Sequence, residues 1–493
     1  MSLDFKVKVF HATKWSSITE ILAKLFSPIS TMILARLLVP EAFGVVATIT
    51  MVVAFAELFT DAGFQKYLIQ HEFKTQEDLD KNTNVAFITN LFLSIFLCGF
   101  IIVFRDEIAE LLGNDKLGLA IALACITIPL SAFSSIQTAV FKREFDFKTL
   151  FGSRIVSLIV PLLITIPFAM LYRNYWALII GTISIKFVNA IYLTLKSKWK
   201  PTLYYNFKIL RQMLSFTTWT IVESIFIWLS SYVGILIVGL TLKDFYLGMY
   251  QASMTLVVQI ITIGVSAITP VMFSALSRLQ NDESEFKRVF LLFQGAVALV
   301  VIPLGFILFS YNRFLTLLFL GDQWGEAAGF VGLLGLTTAF TVVFSHLCSE
   351  VFRAKARPGL SLVLQLAFLL FFIPSMTIAV NYGFKTVYIT HSLLQLVMVI
   401  VASMIMYYVY KISVVDMLKG VGIKIVVALS MFMLSVMMRE VSDSFCWDGL
   451  SIVVCMLFYF GVLYTIKKER AFLVKLKDFF LMSYVKKTQK VNY

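Results

Sequence analysis

Two acidic side chains inside an apolar segment give this sequence its clearest potential for chemistry. Glu57 and Asp61 are four residues apart, so a helix places both carboxylates on one face. Carboxylates this close oppose each other's ionisation, which suits the binding of a proton. Pairing with Lys24 or Lys66 would neutralise them instead, and the sequence leaves both interpretations open. Glu223, in a later apolar segment, is a third candidate for ion coupling.

Basic side chains in apolar segments are candidates for binding an anion. Lys24 lies in the first such segment, Lys186 near the middle of the sixth and Arg154 early in the fifth. A charge at the centre of a bilayer costs roughly 2.5–3.5 kcal/mol on insertion scales, so it usually has a partner or a function. Glu20, one turn from Lys24, is the competing partner for that lysine. Arg154 could also extend its head group to the membrane interface.

A polar stripe along the first apolar helix recurs 204 residues later. The first copy comprises Thr13, Ser16, Glu20, Lys24, Ser27 and Thr31. Four of these six positions are still polar in the second copy, and the same offset carries Trp15 onto Trp219 and Gly44 onto Gly248. In a membrane, a polar helix face lines a cavity or a buried polar seam rather than lipid. The repeat therefore predicts two similar halves around a central cavity.

The composition is that of a polytopic membrane protein. Hydrophobic residues make up 59% of the 493 residues, charged residues only 14%, and the mean hydropathy is +0.87. The sequence contains no Walker A or HExxH motif, and its five cysteines form no CxxC pair. We therefore expect no metal, no cofactor and no catalytic residues.

The spacing of the apolar segments predicts an all-α protein with about 14 transmembrane helices. We expect an N-terminal lobe over residues 1–200 (helices 1–6), a C-terminal lobe over 201–410 (helices 7–12), two additional helices over 411–466 and a basic cytoplasmic tail over 467–493. Alternating basic and apolar residues predict that this tail rests on the membrane surface. The helices are expected at roughly 14–37, 43–67, 84–104, 117–141, 149–171, 175–195, 212–240, 247–275, 289–310, 327–352, 359–380, 386–410, 420–438 and 447–466.

Lysine and arginine are concentrated in alternate loops. One set of loops includes Lys142, Arg143 and Lys148, followed by five basic residues between 196 and 211, whereas the intervening loops hold few. By the positive-inside rule the basic loops are cytoplasmic, and an even number of spans places both termini there too. This distribution accounts for most of the net charge of +13 without nucleic acid as a partner.

Several short motifs, spread over nearly the whole chain, resemble those of one bacterial family. They are Thr13-Lys14-Trp15-Ser16, Ala35-Arg36-Leu37-Leu38-Val39-Pro40-Glu41-Ala42-Phe43-Gly44, Asp61-Ala62-Gly63-Phe64, Phe141-Lys142-Arg143-Glu144-Phe145-Asp146-Phe147-Lys148, Gly321-Asp322-Gln323-Trp324 and Ala354-Lys355-Ala356-Arg357. Together they resemble the bacterial polysaccharide transporter family of the multidrug/oligosaccharidyl-lipid/polysaccharide (MOP) exporter superfamily. Within that family, O-antigen flippases and colanic-acid exporters are the most similar type.

The resemblance implies two six-helix lobes in a V shape around a cavity, with two extra C-terminal helices. It implies alternating-access export of an undecaprenyl-diphosphate-linked oligosaccharide across the bacterial inner membrane, driven by an ion gradient or the membrane potential. The implied partners are this lipid-linked substrate, membrane lipids, and a polysaccharide polymerase with its chain-length machinery. The family has no fixed catalytic set, so the residue roles rest on this sequence: substrate binding for Lys24, Lys186 and Arg154, and ion coupling for Glu57, Asp61 and Glu223.

Three other classes of protein remain open. A drug or cation exporter of the same superfamily would favour an acidic cavity, for which Glu57, Asp61 and Glu223 leave room. A membrane-embedded polymerase or glycosyltransferase would carry a long external loop or a catalytic domain. Here every loop is short, including the one that holds Asp78-Leu79-Asp80, a pattern also found in sugar-nucleotide enzymes. A structural scaffold would not explain charges kept within the spans.

Topology is the first testable prediction. Reporter fusions after Lys200 and Arg357 should report the cytoplasm, because those loops hold the Lys/Arg excess. Fusions after Lys243 and Lys385 should report the exterior. A result that places Lys200 and Lys243 on the same side would show that the number of spans between them is wrong.

Overall fold

A computed structural model describes residues 3–60, 63–266, 268–357, 359–442, 444–472 and 474. All regular secondary structure within these residues is helical, which confirms the predicted fold class. The helices are α1 (Leu3–Leu37), α2 (Pro40–Thr60), α3 (Phe64–Gln70), α4 (Gln76–Val103), α5 (Arg105–Leu111), α6 (Gly118–Ala124), α7 (Thr127–Arg143), α8 (Phe147–Val160), α9 (Ile166–Tyr172), α10 (Trp176–Lys196), α11 (Phe207–Thr241), α12 (Asp244–Ser266), α13 (Thr269–Arg278), α14 (Glu283–Ser310), α15 (Asn312–Phe319), α16 (Ala328–Thr341), α17 (Leu347–Ala354), α18 (Gly359–Ala379), α19 (Phe384–Tyr410), α20 (Val414–Val441) and α21 (Phe445–Thr465).

The number of membrane-length helices agrees with the sequence. Within the described residues, thirteen helical segments are long and apolar enough to cross a bilayer. The 35-residue helix α1, which carries several charged residues, adds a fourteenth long helix. The chain is therefore an all-α polytopic membrane protein of about 14 spans.

Three helix breaks lie at or next to a glycine or a proline. The predicted helix 43–67 is instead two helices, because Gly63 adopts a left-handed conformation (φ 80°) between α2 and α3. The predicted helix 247–275 is likewise divided into α12 and α13, and Pro270, which lacks a backbone N–H, lies in the first turn of α13. A π-helical turn over Pro161–Thr165 joins α8 to α9.

The helices form two compact units, described here separately. The N-terminal unit comprises residues 1–252, 319–324 and 373–387, and the C-terminal unit comprises 253–318, 325–372 and 388–493. In the N-terminal unit α7 packs against α4 and α10, α2 packs against α11, and α1 lies along α8. In the C-terminal unit α14 lies between α16 and α20. The proposed lobes 1–200 and 201–410 remain a prediction.

Two of the family-like motifs close the ends of helices in the N-terminal unit. The Arg143 guanidinium donates to the carbonyl oxygens of Leu68 and His71, both at 2.7 Å, at the end of α3. The Gly321-Asp322-Gln323-Trp324 motif satisfies the end of α1: the Gln323 amide donates to Ala35 and Leu38 carbonyls at 2.6 Å, and the Trp324 indole donates to Ala35 at 2.8 Å. The last carbonyls of a helix have no partner within the helix, so these side chains supply one.

Two glycines that the repeat relates meet each other in the N-terminal unit. A Cβ added to Gly44 would overlap the carbonyl oxygen of Asp244, and one added to Gly248 would overlap that of Pro40. Pro40 and Asp244 are themselves 204 residues apart, so the contact between α2 and α12 is reciprocal. The absence of a side chain at both positions is what allows the two backbones to approach this closely.

The start of the predicted tail differs from the expected surface segment. Glu469 is buried and its carboxylate lies 2.8 Å from the ammonium of Lys424, which is also buried in α20. The Phe472 ring lies 4.4 Å from the same ammonium. A buried lysine requires an anion, and Glu469 holds the chain against α20 for that reason. Residues 475–493 lie outside the described part.

The glycine contact gives the second prediction. Gly44→Ala should destabilise the protein by about 1–3 kcal/mol, because the added methyl group meets the Asp244 backbone, which cannot move aside as a flexible side chain would. Gly99→Ala is the matched control, since a Cβ there meets nothing within 4 Å and alanine favours the helix by up to about 1 kcal/mol. Thermal unfolding in detergent measures both. Equal melting temperatures for the two variants would contradict the close contact.

Candidate functional site

A cavity of about 590 Å³ opens among α2, α3, α7, α8, α10 and α11 of the N-terminal unit. Its lining is rich in charged and hydroxyl-bearing side chains. The charged members are Glu57, Lys66, Arg154 and Lys186, that is, three cations and one carboxylate among the described lining residues. This surface suits a polar, anionic ligand.

An ion pair joins two of the predicted site residues across this cavity. The Lys186 ammonium on α10 lies 3.1 Å from Glu57 Oε1 on α2. The ammonium also donates to the Ser131 hydroxyl at 2.7 Å, and this hydroxyl donates to the same Glu57 oxygen at 2.6 Å. The side chains of Lys186 and Glu57 are 34% and 31% exposed, so the pair remains accessible. Glu57 therefore pairs with a lysine, but the partner is Lys186 rather than Lys24 or Lys66.

The hydroxyl groups of α7 form a stripe that the sequence analysis missed. Ser131, Ser134, Ser135 and Thr138 all line the cavity, and their spacing of three, four and seven residues places them on one helix face. The same periodicity that identified the stripe on α1 would have found them. Their hydroxyls can hydrogen-bond a sugar, because each both donates and accepts.

Arg154 on α8 also lines the cavity, as its proposed role requires. Its side chain is exposed, and Ser157 lies one turn further along the same helix in the lining. The residue before Arg154, Ser153, is buried and donates to the amide oxygen of Asn189 on α10, which fixes α8 against α10. The structure thus brings Arg154 and Lys186 to one cavity.

The other predicted site residues lie elsewhere or outside the described part. Lys24 is half-buried on α1 and does not belong to the lining of this cavity. The Glu223 carboxylate lies 3.9 Å from the ammonium of Lys66, with both side chains about half exposed. Asp61 lies outside the described residues, as does the side chain of Glu20, so their proposed partners stay predictions.

A second, smaller cavity of about 180 Å³ lies beside the first. It runs along α2 from Val46 to Glu57, and its lining combines apolar side chains with the hydroxyls of Thr50, Thr127, Thr182 and Tyr232. Glu57 and Lys186 line both cavities. The ion pair therefore stands at the boundary between them.

The structure is thus that of an all-α membrane protein with a cationic and hydroxyl-rich cavity. The chain belongs to the polysaccharide biosynthesis protein family, whose model matches residues 33–329, more than half of the sequence. This membership confirms the resemblance found in the sequence motifs.

Individual relatives and one solved structure agree with the family. A membrane protein of the cps region of Klebsiella pneumoniae is 24% identical over 380 residues, 76% of each chain. The lipopolysaccharide biosynthesis protein WzxC of Escherichia coli (strain K12) is 22% identical over 409 residues, 80% of this chain and 81% of the relative. The structure of the lipid II flippase MurJ in an inward closed conformation superposes with a TM-score of 0.75 at 15% identity, covering 91% of this chain and 98% of that one. The last similarity shows a shared fold.

The ion pair gives the third prediction. Lys186→Ala should lower stability by about 1–3 kcal/mol, because Glu57 would keep its charge without a partner. Adding Glu57→Gln to Lys186→Ala should recover most of that loss, since the unpaired charge is then removed. Thermal unfolding of the two single variants and the double variant measures the coupling.

The pair between Lys66 and Glu223 is the matched control. It spans 3.9 Å and is about half exposed, so removing either partner should change stability by less than about 0.5 kcal/mol. A coupling energy between Glu57 and Lys186 no larger than that of this control would show that their pairing does not stabilise the fold.

Proposed function

We propose that this protein translocates an undecaprenyl-diphosphate-linked oligosaccharide across the bacterial inner membrane by alternating access. The observation that carries the proposal is the cavity of the N-terminal unit, with three cations and a row of hydroxyls in a chain of the polysaccharide biosynthesis family. Both termini would lie in the cytoplasm, and a polysaccharide polymerase would act on the exported units. The protein would act as a transporter and not as an enzyme.

The two parts of such a substrate match two parts of the lining. The diphosphate is anionic and would bind Arg154 and Lys186, since charge-assisted hydrogen bonds to phosphate are short and strong. The saccharide would bind the hydroxyl stripe of α7 and the Asn189 amide. Lys24, on the polar stripe of α1, would bind the diphosphate at a different stage of transport.

An ion gradient or the membrane potential would drive the cycle. Glu57, Asp61 and Glu223 are the proposed ion-coupling residues, and of the two that the structure describes, Glu57 and Glu223, Glu57 lies in the cavity lining. A drug or cation exporter is the alternative, because these carboxylates could bind a cationic compound. The excess of cations over carboxylates in the described lining favours an anionic substrate instead.

Loss of export from cavity variants is the fourth prediction. Arg154→Ala and Lys186→Ala should each reduce export of the lipid-linked oligosaccharide by about tenfold or more, since a hydrogen bond to a charged group is worth about 1.5–3 kcal/mol. Arg154→Lys should keep partial activity because it retains the charge but loses the planar fork. Complementation of a flippase-deficient strain and surface polysaccharide yield measure export.

Lys196→Ala is the matched control. Lys196 lies on the same helix as Lys186, in its last turn and exposed, outside the cavity lining. It should export normally at equal protein level. Normal export by an Arg154→Ala, Lys186→Ala double variant would remove the cavity from the substrate path. Export of a cationic drug in place of the oligosaccharide would favour the alternative function.

A further inference from the structure

The position of Glu57 and Lys186 between two cavities suggests more than a static pair. Along α2, the smaller cavity is lined from Val46 to Glu57 and the larger one from Ala54 to Thr60. Helix α10 repeats this order, with Ile179 in the smaller cavity and Asn189 in the larger. The two cavities therefore follow one another along the same helices, and the ion pair separates them.

The hydrogen bonds of the Glu57–Lys186 pair allow an incoming anion to replace Glu57. The Lys186 ammonium has three protons, of which one is directed to Glu57 and one to Ser131. The Ser131 hydroxyl donates to the same Glu57 oxygen, so all three groups form one closed hydrogen-bond network. A diphosphate oxygen entering the larger cavity can take the place of the Glu57 carboxylate on Lys186, because both are anionic acceptors.

The ionisable groups near Glu57 would oppose protonation while Lys186 is paired with it. On neighbouring helices the described lining residues that titrate are Lys66, Arg154 and Lys186, together with Tyr232 in the smaller cavity. Helices α6 and α7 contribute no ionisable side chain to either cavity within the described residues. Glu223 faces Lys66, and Asp61 lies outside the described part. Lys186 is thus the cation in direct contact with Glu57.

We propose that Glu57 and Lys186 form an exchangeable ion pair that couples substrate binding to proton binding. This mechanism rests on the proposed function. The diphosphate displaces Glu57 from Lys186, and the released carboxylate binds one proton from the smaller cavity to become a neutral acid. When the diphosphate leaves, Lys186 pairs with Glu57 again and the proton is released. One diphosphate group thus enters for each proton bound, and no bond other than O–H forms or breaks.

The smaller cavity is the proton route in this mechanism. Along α2 it begins at Val46, closer than the larger cavity to the N-terminal end of the helix, which the predicted topology places toward the exterior. Its threonine and tyrosine hydroxyls can donate and accept protons beside Glu57. The exchange is an antiport step if the proton enters from the exterior and is released to the cytoplasm, while the substrate moves from the cytoplasm to the exterior.

The test measures binding of undecaprenyl diphosphate to the purified full-length protein in detergent at pH 8 and pH 6. In the wild type, binding of the diphosphate releases Glu57 from Lys186 and is coupled to the uptake of one proton, so binding should tighten by about tenfold between pH 8 and pH 6, about 1.4 kcal/mol. Glu57→Gln should bind tightly at both pH values, because no carboxylate competes for Lys186. Lys186→Gln should bind weakly at both. Inorganic pyrophosphate in a parallel series shows whether the head group alone reproduces this pattern.

Matched variants distinguish exchange at the Glu57–Lys186 pair from the titration of other ionisable groups. Glu77→Gln should keep the wild-type pH dependence, since Glu77 is an exposed carboxylate that pairs with Lys81 outside the cavity lining. Any pH dependence that remains in Glu57→Gln reports the titration of the diphosphate itself. Ser131→Ala keeps both charges and should retain the direction of the pH effect, so it reports on the pair if Lys186→Gln fails to fold. A pH dependence in Glu57→Gln equal to that of the wild type would overturn the proposal.

The same variants distinguish failure of the exchange from failure of the proposed function. If the binding pattern appears but reconstituted vesicles move no lipid-linked oligosaccharide, the exchange stands and the proposed function is wrong. If vesicles transport the oligosaccharide and Glu57→Gln responds to a pH gradient as the wild type does, the function stands and the exchange is wrong.

Discussion

The hydrocarbon layer cannot solvate a charge or an open carbonyl, and this constraint explains most of the structure's polar contacts. A carboxylate and an ammonium placed within apolar helices must find each other or water. Glu57, Ser131 and Lys186 meet this requirement with three short contacts from three helices, at 2.6, 2.7 and 3.1 Å. Because the pair borders an open cavity, it remains partly exposed and available to a ligand. A fully buried pair, such as that of Lys424 and Glu469, instead fixes the chain.

The same constraint explains what the family motifs do. Arg143, Gln323 and Trp324 come from motifs that identify the family, yet the structure places them at helix ends, where they satisfy backbone carbonyls. They hold α1 and α3 beside the helices that build the cavity. Most residues that line the cavity lie outside these motifs, and Gly63 belongs to both. The family was thus recognised partly from residues that hold the helices together, such as Arg143, Gln323 and Trp324. The residues that line the cavity can differ between relatives while these structural residues stay the same.

Close backbone contact is the second organising feature. Gly44 and Gly248 allow α2 and α12 to meet at their N-terminal ends, and Gly63 ends the straight run of α2 near the larger cavity. Side chains larger than hydrogen would separate these backbones. Gly44 therefore positions the N-terminal end of the helix that carries Glu57, while the pair with Lys186 holds its last turn.

The sequence by itself determined the helical fold, the number of spans and the presence of charges and polar faces within them, because periodicity and hydropathy are local properties of each helix. It also identified Glu57, Lys186 and Arg154 as candidates. Only the tertiary structure decided that Glu57 pairs with Lys186, 129 residues away, and that Lys66 lies near Glu223 instead. A helical pattern shows which face is polar but not which helix it faces. Lys24 illustrates the difference: its polar face was predictable, whereas its position outside this cavity depends on how α1 packs along α8.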